Sequence, residues 1–345
     1  MNHPTGGAAS AGSHPERGAA SVGSHPERGA ASAGSHPENV RVREVGPRDG
    51  IQSEKVNVAT GDKIRLLDSL GGTGLRYIEA VSFVSPKAIP NMADARAVWG
   101  GIKPHAGVFY SALVPNRKGA EIAAEAGLHG MQVFVAATDS YNLRNVRRTV
   151  KESMTDVTEV VGVGREAGLP VEGTISTAFG CPYEGDVPPA RVVEVTRWMV
   201  EAGITSLSYG DTTGMGTPRR VAEVIEALRT YTPEVELNMH FHDTRGTGLA
   251  DVLTALEYGV DYFDASIGGM GGSPYADGAT GNIATEDLVH MLHDMGIKTG
   301  IDFDALVEAA RVAQSFIEGE LPSKMLKAGP RWKSAGPLTK DSLDV

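Results

Sequence analysis

The chain has 345 residues, of which 41% are hydrophobic and 22% are charged, a composition that is ordinary for a globular protein with one large α/β domain or two small ones. Its formal net charge of −11 argues against a nucleic-acid partner, because a phosphate backbone attracts basic surfaces. The single cysteine, Cys181, can form no intrachain disulfide, and no apolar run reaches the ~20 residues of a membrane helix, so we expect a cytoplasmic protein without membrane contact.

The N-terminus consists of a short repeat. Residues 3–13, 14–24 and 25–35 read HPTGGAASAGS, HPERGAASVGS and HPERGAASAGS, and a fourth copy begins at residue 36. The unit is rich in Ala, Gly, Ser and Pro and has almost no large apolar side chain, so it cannot bury enough surface to offset the entropy of ordering. We therefore predict that residues 1–38 form a disordered tail, and we assign its evenly spaced histidines no function.

From Val40 onwards, short apolar runs alternate with amphipathic stretches. The predicted strands are Val40–Val45, Tyr77–Phe83, Ala106–Leu113, Met131–Ala136, Val171–Thr177, Ser206–Tyr209, Glu236–His242 and Tyr262–Ile267. The predicted helices include Lys63–Leu70, Lys118–Ala126, Val150–Ala167, Ala190–Ala202, Arg219–Thr230 and Leu249–Tyr258. A glycine follows several of these helices, which is typical of a helix C-cap.

The alternation of strands and helices indicates βαβ units and a parallel sheet. Eight units in about 260 residues match the size of a (β/α)8 TIM barrel. A doubly wound open sheet is the alternative, but no Gly-rich dinucleotide fingerprint follows the first strand. We predict a TIM-barrel domain over residues 39–325, with an amphipathic cover helix at Asp302–Gly319 and a C-terminal tail over residues 326–345.

Two histidines at the end of the seventh predicted strand suggest a metal site. His240 and His242 are two residues apart, so on a strand their side chains point to the same side. Asp49 follows the first strand and Asn282 lies in a Gly-rich loop after the last. Two imidazoles and two oxygen ligands would suit a hard or borderline cation such as Mg²⁺ or Mn²⁺. The alternative is a strand end with two exposed or hydrogen-bonded histidines.

Six segments, in this order along the chain, resemble the 3-hydroxy-3-methylglutaryl-CoA lyases, within the metal-dependent barrel lyases and synthases that share an Arg-Asp pair after strand one. The segments are GPRDGIQ (46–52), IEAVSFVSPKAIPNMAD (78–94), FGCPYEG (179–185), GDTTGMGTP (210–218), HFHDTRGTGLA (240–250) and GGMGGSPYADGATGN (268–282). The resemblance extends from Val40 to Met325. It implies a divalent metal, Mg²⁺ or Mn²⁺, bound by Asp49, His240, His242 and Asn282.

The resemblance also implies roles for side chains around that metal. Arg48 would contact the substrate and stabilise charge on an enolate oxygen, and Glu79 would support the site, either behind Arg48 or as a metal ligand. Asp211 is implicated in proton transfer, and the base that takes the hydroxyl proton is either His240 or Asp211. The family carries a catalytic cysteine in the Gly-rich loop, where this chain has Ser273.

The implied reaction is the metal-assisted cleavage of 3-hydroxy-3-methylglutaryl-CoA to acetyl-CoA and acetoacetate, as in leucine breakdown. The resemblance also implies a homodimeric enzyme with an acyl-CoA substrate. Two alternatives stay open. One is a lyase of the same class for another 3-hydroxyacyl-CoA, with Ser273 marking the changed specificity. The other is a metal-binding pseudoenzyme that lacks the family's cysteine.

Overall fold

The computed structural model describes residues 36–272 and 281–332, and in this part of the chain eight parallel strands close into a barrel. The strands are β1 Arg41–Glu44, β2 Tyr77–Ser82, β3 Phe109–Leu113, β4 Gly130–Ala136, β5 Val171–Ser176, β6 Ser206–Asp211, β7 Glu236–Phe241 and β8 Tyr262–Ala265. Each strand pairs with the next one along the chain, and β8 pairs with β1 to close the barrel.

Helices follow the strands and form the outer layer. They are α1 Thr60–Gly71, α2 Ala95–Gly101, α3 Arg117–Ala126, α4 Asp139–Val146, α5 Val150–Ala167, α6 Pro189–Glu201, α7 Pro218–Tyr231, α8 Gly248–Glu257, α9 Thr285–Asp294, α10 Phe303–Gln314 and α11 Lys324–Ala328. Across the described residues, none of them combines the length and apolar composition that crossing a bilayer requires.

The predicted TIM barrel is confirmed, and each of the eight predicted strands overlaps an observed one. The prediction for Val150–Ala167 coincides with α5 because the helix has clear signals at both ends. The Thr149 hydroxyl accepts a hydrogen bond from the Glu152 amide at 3.2 Å, and the Glu152 carboxylate accepts one from the Thr149 amide at 2.8 Å. This capping box satisfies two amides that the first turn leaves free, and Gly168 adopts a left-handed conformation at the other end.

The predicted cover helix is shorter than its amphipathic pattern suggested. The Asp302 carboxylate caps α10 by accepting from the Ala305 amide at 3.1 Å. The helix ends at Gln314, whose side-chain amide donates to the Gly319 carbonyl at 2.7 Å and accepts from the Leu321 amide at 2.9 Å. These bonds hold the turn that follows, and α11 then spans the predicted boundary between residues 325 and 326.

The barrel interior is polar near the carboxyl ends of the strands, although barrel interiors are usually filled by Val, Ile and Leu. Arg43, Glu79, Gln132 and Asp264 come from four different strands and are only 1–3% exposed. The apolar core instead lies between the strands and the helices, where residues such as Leu66, Val192 and Leu256 are fully buried. The polar layer therefore forms the floor of whatever site the strand ends build.

Residues 1–35 lie outside the described residues, so the disorder of the repeat stays a prediction. Deleting residues 1–35 should change the melting temperature by no more than about 1 °C, because a solvated repeat contributes no burial. Deleting residues 1–39 should lower it further, because the Lys298 amide loses its 3.0 Å bond to the Glu38 carbonyl. Calorimetry on both proteins tests this, and a fall of several degrees in the shorter deletion would show that the repeat docks on the barrel.

Candidate active site

A cavity of about 400 Å³ opens at the carboxyl ends of the strands. The predicted residues that line it are Arg48, Asp49, Glu79, His240 and His242. A barrel places the ends of all its strands around one mouth, so residues that are far apart in the chain become neighbours there. The structure thus brings five of the predicted site residues to a single cavity.

A five-residue π-helical turn, Gly46–Gly50, leaves β1 and presents Arg48 and Asp49 to the cavity. The turn packs tightly against the buried Glu44 carboxylate, which accepts from the Gly46 amide at 2.7 Å and from the Ile267 amide at 2.8 Å. A Cβ at residue 46 would lie 2.6 Å from that carboxylate. Glycine is therefore required at this position, since any side chain would displace the turn.

Asp49, His240 and His242 meet at one point, with a carboxylate oxygen and two ring nitrogens all within 4.8 Å of one another. The Nε2 atoms of the two histidines are 3.2 Å apart. Adjacent ligand atoms in an octahedral site with bonds of about 2.1 Å are separated by roughly 3.0 Å. The spacing of the imidazoles therefore fits two neighbouring ligands of one small cation.

Asn282 adds an oxygen beside this group. It forms an isolated antiparallel bridge with His242, and its side-chain nitrogen donates to Asp49 Oδ2 at 2.8 Å and to the Met270 carbonyl at 3.0 Å. Its Oδ1 is buried and has no hydrogen-bond partner among the described residues. Because a buried carbonyl oxygen without a partner is costly, this atom suits a fourth ligand.

Electrostatics favour the ionised form of Asp49. Burial by itself raises the pKa of this carboxyl, but the charge of Arg48 and the neighbouring histidines lower the pKa to about 2. Arg48 donates to Asp49 at 2.5 Å and to Glu79 at 2.5 Å. The guanidinium is thus held between two carboxylates on the cavity wall, and its Nε has no partner among the described residues.

The charges inside the barrel do not balance. Four carboxylates, Asp49, Glu79, Glu172 and Asp264, face the two guanidinium groups of Arg43 and Arg48 through the ion pairs that link them. With all four carboxylates ionised and the histidines neutral, the group carries two net negative charges. Burial and the charge of Asp264 raise the pKa of Glu79 and of Glu172, which reflects the cost of that excess. Uncompensated buried charge is unfavourable, so the donor set and the charge both fit a divalent cation.

The structure does not bring Asp211 into the cavity. Its neighbours Gly210 and Thr212 line the wall, whereas the Asp211 carboxylate points away and accepts from the Met215 amide at 2.8 Å and the Gly216 amide at 2.9 Å. Burial raises the pKa of this carboxyl to about 6. Asp211 therefore holds the loop that follows β6. Ser273, the other predicted proton-transfer residue, lies outside the described residues.

Three polar residues of the barrel interior were missed by the sequence analysis: Arg43, Gln132 and Asp264 all line the floor of the cavity. Each is a polar residue within a predicted strand, and this position could have marked it as a candidate site residue. In a closed barrel one face of every strand points inward, so a charge on that face needs a partner on a neighbouring strand.

Comparison with known proteins finds similar chains over most of this chain's length. A model of the HMGL-like family matches residues 39–313. The hydroxymethylglutaryl-CoA lyase YngG of Bacillus subtilis is 46% identical over 288 residues, covering 84% of this chain and 96% of that protein. A Pseudomonas aeruginosa protein named 3-hydroxy-3-isohexenylglutaryl-CoA/hydroxy-methylglutaryl-CoA lyase is 45% identical over 79% of this chain and 91% of its own length. A solved HMG-CoA lyase of Acinetobacter baumannii, in complex with coenzyme A and 3-methylmalate, superposes with a TM-score of 0.83 at 41% identity, covering 88% of this chain and 98% of that one.

Proposed function

The chain belongs to the HMGL-like family, and from that premise we propose that it is a carbon–carbon lyase that cleaves 3-hydroxy-3-methylglutaryl-CoA to acetyl-CoA and acetoacetate. The observation that carries the proposal is the meeting of Asp49, His240 and His242 beside Arg48 in one cavity. The names of the relatives, all lyases of this substrate, agree with it.

The reaction moves one proton and breaks one carbon–carbon bond. The tertiary hydroxyl loses its proton, the bond between C2 and C3 breaks to leave acetoacetate, and the enolate of acetyl-CoA is protonated at C2. A divalent cation, Mg²⁺ or Mn²⁺, held by Asp49, His240, His242 and Asn282 would polarise the substrate oxygens when bound. The protein itself must stabilise the negative charge that develops on the thioester oxygen.

Arg48 is the side chain for that charge. A guanidinium stays protonated at any relevant pH, and Asp49 and Glu79 fix its position on the cavity wall. Burial raises the pKa of Glu79, although Arg48 and Arg43 act in the opposite direction. A donor that is already oriented needs no reorganisation when the enolate forms, which is the source of its catalytic effect.

The two groups expected to take the hydroxyl proton differ in position. His240 lines the cavity and Asp211 does not. The Nδ1 of His240 contacts the Asp264 carboxylate at 3.1 Å, and its Nε2 faces the proposed cation. We therefore propose that His240 serves chiefly as a ligand, and that Asp211 acts through the shape of the loop after β6.

A second candidate is cleavage of a 3-hydroxyacyl-CoA with a larger substituent. Two observations favour it: Ser273 replaces the cysteine that the lyase family carries, and the Pseudomonas aeruginosa relative is named for a 3-isohexenyl substrate as well. Measuring acetyl-CoA release from 3-hydroxy-3-methylglutaryl-CoA and from analogues that carry longer 3-substituents, each with Mg²⁺ or Mn²⁺, distinguishes the two. No cleavage of any of them by protein that binds the metal would favour the pseudoenzyme.

We expect the variant Ser273→Cys to turn over 3-hydroxy-3-methylglutaryl-CoA faster than the natural chain. A thiol has a pKa near ~8.5 and exchanges protons near neutral pH, whereas a serine hydroxyl is a far weaker acid. The variant should also become sensitive to iodoacetamide. The natural chain is its own control, because its single cysteine, Cys181, is fully buried. A slower variant would show that the serine is an adaptation to another substrate or another proton path.

The resemblance to the lyases also leads us to propose a homodimer that works in leucine breakdown in the cytosol, where a single cysteine stays reduced. Light scattering on the purified protein tests the assembly. A monomeric mass at micromolar concentration would contradict the dimer without affecting the proposed reaction.

A further inference from the structure

Three neighbouring strands of the barrel place Arg43, Asp264 and His240 side by side. In the β1–β8 pairing Arg43 lies opposite Asp264, and in the β7–β8 pairing His240 lies opposite the same aspartate. Residues in register on adjacent strands point to the same face of the sheet. The three side chains therefore form a row across the inner wall, directly below the proposed metal position.

Asp264 is the middle residue of this row, and its carboxylate accepts hydrogen bonds from the donors of several neighbouring side chains. Arg43 binds it through two parallel bonds, Nε to Oδ1 and Nη2 to Oδ2, both at 2.8 Å. The Asn238 amide donates at 2.8 Å and the Ser208 hydroxyl at 3.1 Å. The aspartate and Arg43 are each 3% exposed. A carboxylate in this position is an acceptor for every contact it makes.

The contact with His240 therefore specifies where the ring carries its proton. Nδ1 of His240 is 3.1 Å from Asp264 Oδ2, and since the carboxylate only accepts, Nδ1 must carry a hydrogen. Nε2 of the neutral ring then presents a lone pair, and this is the nitrogen that lies 3.2 Å from His242 Nε2. Asp264 thus keeps free the one nitrogen that can bind a metal.

We propose that Asp264, clamped by Arg43, is a positioning residue that fixes the Nδ1-protonated tautomer of His240 and so keeps its Nε2 available as a metal ligand. The inference rests on the proposed metal-dependent function, and neither residue touches the substrate in it. Arg43 matters because its planar fork holds both carboxylate oxygens, which leaves Asp264 a single orientation.

The same guanidinium links the two halves of the site. Arg43 also pairs with Glu172, and the Gln132 side chain, in the amide orientation that satisfies both of its ends, accepts from Arg43 and donates to Glu79. Glu79 in turn holds Arg48, which holds Asp49. The two proposed ligands His240 and Asp49 are therefore connected behind the metal position by a continuous chain of buried polar contacts.

The test is the variant Asp264→Asn, which keeps the shape but replaces one acceptor oxygen with a donor. Oδ1 of Asp264 receives Arg43 Nε and the Asn238 amide, two donors that cannot also accept, whereas the Ser208 hydroxyl at Oδ2 can turn and accept. The amide oxygen should therefore take the Oδ1 position, the amide nitrogen then faces Nδ1 of His240, and the ring proton must move to Nε2. In the metal-free variant, ¹⁵N chemical shifts of labelled histidines should show the Nε2-protonated tautomer for His240. Calorimetric titration with Mn²⁺ should show an affinity roughly ten- to a hundredfold weaker than that of the natural chain.

Glu172→Gln is the matched control. Glu172 contacts the same guanidinium from the other side and does not touch His240, so this variant disturbs the buried ion pair without changing the ring's partner. It removes one interior negative charge, as Asp264→Asn does, so its loss of Mn²⁺ affinity measures the share that is due to charge alone. That loss should stay within about threefold, and the natural tautomer should be kept, even where the melting temperature falls. A loss of affinity as large as that of Asp264→Asn would show that any disturbance of the buried ion pairs weakens metal binding, and it would contradict the specific role of Asp264.

Two outcomes overturn the inference: an unchanged His240 tautomer in Asp264→Asn, or an unchanged Mn²⁺ affinity. If that variant does not fold, Arg43→Lys replaces it, because lysine keeps the charge but cannot hold both oxygens; it should weaken Mn²⁺ binding, and natural affinity would contradict us. Failure of the natural chain to bind Mn²⁺ or Mg²⁺ would instead remove the proposed metal centre. The tautomer measurement needs no metal, so it distinguishes failure of the proposed metal centre from failure of the inference about Asp264.

Discussion

Replacing Arg48 with lysine should lower kcat on 3-hydroxy-3-methylglutaryl-CoA by about a hundred- to a thousandfold, the usual loss when one oriented donor to a developing oxyanion is removed. KM should change far less, because the enolate charge appears mainly in the transition state. Lysine keeps the positive charge, but its single ammonium cannot bridge Asp49 and Glu79 as the two guanidinium nitrogens do. Steady-state kinetics at saturating Mn²⁺ provide the measurement.

Arg41→Lys is the control for this substitution. Arg41 is also on the β1 segment and also lies between two carboxylates, with bonds of 2.7 Å to Glu236 and 2.9 Å to Asp261, but it does not line the cavity. Its replacement should leave kcat within about twofold, since partly exposed ion pairs contribute little. A normal kcat with a poor KM in Arg48→Lys would mean that Arg48 binds the ground state and does not stabilise the enolate.

The architecture was readable from the sequence because each strand is a short apolar run followed by an amphipathic helix. Those patterns report burial, and burial decides which residues form strands and helices. The end of α10 was harder to predict from the sequence. Its amphipathic pattern continues to Gly319, but Gln314 uses its side chain to bond the turn that follows, and such a local competition between side chain and helix does not alter the hydrophobic pattern.

The proposed metal ligands could also be predicted from the sequence, because their residue types and spacing carry the information. His240 and His242 are two residues apart at a strand end, and Asp49 and Asn282 have the oxygen atoms that a hard cation prefers. The side chains that support these ligands could not be predicted. Asp264 and Arg43 are 221 residues apart, and only the closure of the barrel makes them neighbours.

The position of Asp211 shows what cannot be predicted from the rule that the site of a barrel lies at the carboxyl ends of its strands. The rule correctly places the end of β6 at the cavity, but successive residues of a strand point to opposite faces. Gly210 and Thr212 face the cavity, so Asp211 between them faces the helices and the loop. The direction of a side chain depends on strand parity, and the predicted strand Ser206–Tyr209 ended before the residue in question.

Replacing His242 with alanine should weaken Mn²⁺ binding by at least ten- to a hundredfold, because a direct ligand matters no less than the groups that support ligands. His242 is 2% exposed and its Nε2 lies 3.2 Å from that of His240. Without it, the cation would keep Asp49, His240 and Asn282 and lose one of its two nitrogen ligands. Calorimetric titration of the metal-free protein gives the affinity directly.

The thermal stability of the same proteins provides a second readout. In the natural chain four interior carboxylates face two guanidiniums, so bound Mn²⁺ would compensate the excess negative charge and should raise the melting temperature in proportion to its binding free energy. A chelator should reverse that rise and abolish activity, and added Mg²⁺ or Mn²⁺ should restore both. In His242→Ala the rise should shrink or vanish at the same Mn²⁺ concentration. His105→Ala removes an exposed histidine outside the cavity and should keep the full rise, whereas an undiminished rise in His242→Ala would exclude His242 from the metal centre.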